Sequence, residues 1–105
     1  MNEDAARYDG KPMLRLLDAY VLDALGALDP VSAQTNAANS EKIAVAMNVS
    51  AATWQEAVER ALQMPPDSSD ALRGMWEQHV HATLANNGTP DVLAWTHELV
   101  DTRFG

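Results

Sequence analysis

The sequence predicts an all-α fold, a compact bundle of four to five short helices, and three observations predict it. Apolar residues make up 47% of the chain, and among them eighteen Ala and eleven Leu outweigh eight Val and one Ile. Ala and Leu favour helix, whereas β-branched residues favour strand. No segment alternates apolar and polar residues with a two-residue period between turn signals, while four segments repeat apolar residues at helical spacing. At 105 residues the chain reads as one domain, 1–105, long enough to bury roughly two-thirds of its unfolded surface without staples.

Residues 1–10 (MNEDAARYDG) read as a loosely held lead. Pro12 suits the first turn of helix one, which the pattern carries to Leu28. Its inner stripe is Leu14, Leu17, Val21, Leu25 and Leu28, widened by Met13, Leu16 and Tyr20, with Arg15, Ala19, Asp23 and Gly26 outside. A helix this apolar is expected to be central. Asp29-Pro30 restarts the chain as cap and first position. Residues 31–48 have poor periodicity and predict one weak helix with an irregular start.

Ser50 is the expected cap of helix three, whose inner stripe is Trp54, Ala57, Val58, Ala61 and Leu62 and whose stop is Pro65-Pro66. Asp67, Ser68 and Ser69 offer caps for helix four, with a stripe of Leu72, Met75, Trp76, Val80 and Leu84. Asn86-Asn87-Gly88 ends it, since these residues accept left-handed backbone. Thr89-Pro90-Asp91 starts helix five with Thr89 as cap, and Val92, Trp95, Thr96, Leu99 and Val100 face inward.

The chain has no cysteine, which excludes a disulfide framework, thiolate metal sites and thiol chemistry. There is no Gly-rich phosphate loop, no Gly-x-Ser-x-Gly elbow and no His-Glu-x-x-His pattern. No cofactor is expected, and the chain is read as non-enzymatic. His79 falls in the apolar stripe of helix four, as a core or interface histidine. Glu77 with His81, and His97 with Asp101, are i, i+4 pairs on outer faces. Together they would supply an oxygen–nitrogen metal site, but they depart from the inward Glu-x-x-His spacing of bundle metal centres and are read as exposed ion pairs. Asp18 lies at the edge of an apolar arc, where a carboxylate needs a partner; Arg15 or Lys11 is the expected one. Arg7, Lys11 and Arg15 flank Tyr8-Asp9-Gly10 and are expected to dock the lead. Trp54, Trp76 and Trp95 fall on inner stripes and read as core.

Fifteen acids against seven Lys and Arg give a net charge of −8. Nucleic acid is therefore a poor partner, and a basic protein a better one. No stretch approaches the roughly 18 apolar residues of a membrane span, and residues 1–10 lack the basic-then-apolar order of a secretory signal, so a cytoplasmic location is expected. The acidic excess lies on the outer faces of helices three to five and in the Asp67-Ser68-Ser69-Asp70 connector, and the expected partner-binding surface is Glu56, Glu59, Asp67, Asp70 and Glu77.

The stretch YDGKPMLRLLDAYVLDALGAL (residues 8–28) resembles the opening of a group of small, uncharacterised all-helical bacterial proteins. TWQEAVERALQMPPDSSDALRGMWEQ and the terminal LVDTRF resemble that group too, while residues 31–49 resemble it least. The resemblance implies a bacterial helical domain and attaches no activity. Size, charge and fold together lead to an acidic protein-binding module, of inhibitor or immunity type, for a basic partner. The alternative is a self-associating regulatory or structural helical protein, a homodimer in its simplest form; a small metal-binding protein ranks below both.

Overall fold

The computed structural model describes residues 7–65 and 67–104. Expectations that fall on residues 1–6, on Pro66 and on Gly105 lie outside them. Five helices follow in order: α1 Pro12–Ala24, α2 Pro30–Met47, α3 Trp54–Ala61, α4 Ser68–Ala85 and α5 Val92–Phe104, with no strand among the described residues. None of these helices is long and apolar enough to cross a membrane.

α1 is the hub. It packs against each of the other four helices, and α2 and α3 also pack on one another. Among the described residues, α4 and α5 nowhere bring two Cα atoms within 8 Å. They are neighbours in sequence, yet they splay apart from a common base on α1. The Cα radius of gyration, 14.3 Å, accordingly exceeds the about 13 Å usual for a chain of this length. Leu16, Leu17, Tyr20, Val21 and Ala24 of α1 form the core with Val58 of α3, Leu72 of α4 and Val100 of α5.

The caps explain the boundaries. Asp29 accepts the Ser32 amide at 3.0 Å to start α2. Thr53, not Ser50, caps α3 by accepting the Glu56 amide at 3.1 Å, so the helix starts three residues later than expected. Asp91, not Thr89, caps α5, accepting the Ala94 amide at 3.1 Å. Four helices end in one hydrogen-bonded pattern, in which a left-handed residue turns the chain and two amides return to the last turn. Gly26 (φ +73°) does this after α1, Asn48 (φ +56°) after α2, Gln63 (φ +55°) after α3 and Asn87 (φ +61°) after α4. Hence α1 stops at Ala24 rather than Leu28, and α3 stops at Ala61, ahead of the prolines expected to end it.

Residues 31–47 form one regular helix without an irregular start. Its buried residues are Asn36 and Ser40, whereas Val31, Val45 and Met47 are exposed. An apolar period cannot report a helix that faces its neighbours with small polar residues. Two stripe assignments also change. Ala19, expected outside, is buried, and Leu84, expected inside, is 57% exposed near the end of α4.

Candidate functional site

Two features carry specific geometry. The first is a clamp around Asp18, which is 1% exposed. The turn at Asp9-Gly10 folds residues 7–8 back onto α1, with Gly10 at φ +69° and the Lys11 amide donating to the Tyr8 carbonyl at 2.9 Å. Arg7 then donates from Nε to Asp18 Oδ2 at 2.7 Å and from Nη2 to Oδ1 at 3.0 Å. The Tyr8 hydroxyl donates to Oδ2 at 2.6 Å. The other edge of the same guanidinium reaches Asp101 on α5, Nη1 to Oδ2 at 3.1 Å and Nη2 to Oδ1 at 3.0 Å.

One arginine thus joins the lead, α1 and α5 through two carboxylates, using the fork geometry lysine lacks. The pairing with Asp18 drives the Arg7 pKa further up, and Arg7 holds Asp101 below the usual carboxylate range. Burial, then the hydrogen bond to Asp18, pushes Tyr8 well above an ordinary phenol. His97 Nε2 stands 3.5 Å from Asp18 Oδ2, buried and without a hydrogen-bond partner among the described residues.

Several expectations are corrected here. Asp18 is buried rather than at a rim, and its partners are Arg7 and Tyr8 rather than Arg15 or Lys11. Arg15 lies over the Tyr8 ring, 4.7 Å from its centroid. Residues 7–8 are clamped rather than loosely held. His97 faces Asp18 instead of pairing outside with Asp101, which is taken by Arg7. No three His, Asp or Glu residues are grouped as a metal site among the described residues, so Glu77, His81, His97 and Asp101 do not converge.

The second feature is a groove of about 370 Å³ between α1, the α3–α4 connection, α4 and α5. Leu17, Val21, Leu62, Met64, Leu72, Met75 and Leu99 line it, with Asp67 and Arg103 also on its wall. It exists because α4 and α5, both docked on α1, splay from one another and leave the core partly uncovered between them. Met75, Leu99 and Arg103 also border an adjoining opening with His79, Trp95 and Glu98. There Trp76, His79 and Trp95 pack ring against ring at centroid distances of 5.3–5.9 Å and bridge the two helices. Trp54 and Trp95 are half-buried against the core, and Trp76 contributes to this bridge.

The five acidic residues expected to bind a partner fall as follows. Glu56 pairs with Arg60 at 2.7 Å, and Asp70 pairs with Arg73. Glu59 accepts the Tyr20 hydroxyl at 2.6 Å; burial, then that bond, pushes the Tyr20 phenol up. Asp67 is at the N-terminus of α4 on the groove wall, and Glu77 is exposed on α4. The groove itself is not foreseen by the sequence pattern.

Comparison with known protein families, with curated proteins and with solved structures gives no match to this chain.

Proposed function

We propose that the chain is a small acidic, non-enzymatic protein-binding module whose groove takes a basic amphipathic helix of its partner. The observation that carries this reading is the apolar groove left open between α4 and α5 on a chain of net charge −8. An amphipathic helix can supply the missing apolar neighbour with one face and meet the net negative charge of the chain with the other. Met64 and Met75 add unbranched, adaptable side chains, the kind that grip partner helices of varied sequence. Asp67 and Glu77, which form no ion pair among the described residues, extend the same attraction along α4. An inhibitor or immunity-type protein that neutralises a basic partner is the concrete form of this activity.

The test is a titration followed by tryptophan emission, because Trp95 lines the opening that adjoins the groove and shares Met75, Leu99 and Arg103 with it. The probe is a synthetic helix with Leu at i, i+3, i+4 and i+7 and Lys elsewhere, beside a scrambled peptide of the same composition. Saturable binding of the amphipathic peptide alone, weakened by salt and abolished by Met75→Glu but not by Val45→Glu, is expected. Equal binding of both peptides, or no effect of Met75→Glu, overturns the reading.

A self-associating module is the second reading. Val31, Val45 and Met47, exposed at 72%, 78% and 50%, favour it. Sedimentation over a wide concentration range separates the two: a mass that stays monomeric removes self-association.

A further inference from the structure

The helix-binding reading leaves one lining residue of the groove unused. Arg103 reaches the groove from the last turn of α5, and it is the only cation among the lining residues. It is exposed, and no carboxylate of the described residues stands within ion-pair distance of it, Asp67 and Glu98 included. Its guanidinium crosses to α4 instead, where Nη2 donates to Met75 Sδ at 3.9 Å. A thioether is a weak acceptor, so this contact marks where the cation lies without satisfying it.

That position gives the groove two unlike ends. Asp67 is the N-cap residue of α4, and Met75 is eight residues further along, about 12 Å at 1.5 Å per residue. Both are on the groove wall, with Leu72 between them and Met64 three residues before Asp67. Exposed charges farther apart than the screening length, about 8 Å at physiological salt, act largely independently. The groove therefore has an anionic end at Asp67, a cationic end at Arg103 and apolar side chains between. Two other polar groups on the wall are already committed: the Tyr20 hydroxyl donates to Glu59 at 2.6 Å, and the Ser68 hydroxyl to the Pro65 carbonyl at 2.7 Å.

We infer that the helix taken by this groove is charge-asymmetric. It carries a carboxylate that pairs with Arg103, a little over two turns along its apolar stripe from a basic residue that meets Asp67. The inference rests on the helix-binding reading and adds the polarity of the partner to it. Arginine presents a planar fork that matches a carboxylate. A helix basic at both ends sets one cation against Arg103, and a helix acidic at both ends sets one carboxylate against Asp67. The long-range field decides nothing in favour of the acid: on a chain of net charge −8 it favours a neutral residue over a carboxylate at every position. A preference for a carboxylate at one end of the helix must therefore come from local pairing with Arg103.

The test uses the unaltered full chain and a synthetic helix with Leu at i, i+3, i+4 and i+7, a Lys in the turn before this stripe, a Glu in the turn after it and Gln elsewhere. A second peptide has Gln in place of that Glu. The readouts are calorimetry and the methyl resonances of Met64 and Met75, one toward each end of the groove. The Glu peptide should bind the unaltered chain roughly threefold more tightly than the Gln peptide, the size of an exposed ion pair. With Arg103→Met the order should reverse, since only net charge is left to discriminate. A nitroxide at the Glu end should broaden Met75 more than Met64, and one at the Lys end should do the opposite. The inference is overturned if the Gln peptide binds the unaltered chain as tightly as the Glu peptide, if Arg103→Met keeps the preference for Glu, or if both labels broaden the two methyls alike. Saturable methyl shifts without these preferences leave helix binding standing and remove its polarity; no saturable shift with either peptide removes both. Arg103 is exposed, so Arg103→Met spares the core, and the label comparison needs no variant.

Discussion

Arg7 and Asp18, eleven residues apart, meet in a two-point ion pair of 2.7 and 3.0 Å whose acid is almost completely buried. A carboxylate in that position is tolerated because a guanidinium and a phenol saturate it. The pair is expected to be costly to break from one side. Arg7→Met leaves Asp18 buried with Tyr8 alone and should destabilise the fold by about 3 kcal/mol in urea unfolding at neutral pH. Replacing both partners, as in Arg7→Met with Asp18→Leu, should recover most of that loss, since an apolar pair of similar volume is often as stable as a buried ion pair. A double variant no better than Arg7→Met would show that Arg7 acts through Asp101 instead.

The two tyrosines set the alkaline limit. Both phenols are raised above their ordinary value, by burial first and then by donating to Asp18 and Glu59. The folded state therefore holds these protons more tightly than the unfolded chain. Their contribution is complete below the unfolded phenol value of about 10 and is lost as pH rises toward the folded value. Urea midpoints should be flat up to about pH 9.5 and fall above it. Tyr8→Phe should flatten that fall. On the acid side Asp29 and Asp101 have the opposite sign: both are lowered, by Ser32 and by Arg7 respectively, so their contribution is lost as pH falls through the folded value.

Among the four left-handed stops, Gln63 is the misfit, because Gly and Asn fill the other three. Gln63→Gly should stabilise by about 1 kcal/mol, read as a higher urea midpoint. Gly88, one residue after the left-handed Asn87, should behave oppositely. A Cβ there would stand 2.9 Å from Thr83 Cγ2 and 3.3 Å from the Thr83 carbonyl oxygen. Gly88→Ala should lower the midpoint and loosen the last turn of α4, measurable as faster amide exchange at residue 88, whose N–H donates to that carbonyl at 2.8 Å.

The caps offer a graded comparison. Thr53→Ala and Asp91→Ala each remove a side-chain acceptor from a helix start, and each should cost about 1 kcal/mol. Ser50→Ala and Thr89→Ala, at the positions that the pattern alone favours, should change stability by less than about 0.5 kcal/mol.

That contrast marks what the sequence discloses. The all-helical class is legible because Leu17, Val21, Val58, Leu72 and Val100 repeat at helical spacing and all are buried. The centrality of α1 follows from its breadth of apolar surface. The clamp is only half legible: Asp18 stands out as a carboxylate among leucines, and the cations beside Gly10 are expected to dock the lead. Pairing across a turn leaves no periodic trace, however, so on the helical wheel Arg15 looks nearer to Asp18 than Arg7 does. Asn36 and Ser40 hide the regularity of α2, because polar residues on the inner face erase the pattern that identifies a helix. The groove depends on where α4 and α5 stand apart on α1, and a sequence pattern records only what a helix turns inward.

The hub arrangement has a kinetic consequence. Because α2, α3, α4 and α5 each dock on α1, every helix emerging during synthesis meets a partner that has already been made. No helix must wait for a later one, so intermediates can add one helix at a time in N-to-C order. Asp101 is the exception. It lies 94 residues from Arg7, and its arrival completes the fork begun by Asp18. α5 thereby holds in place the turn that precedes α1.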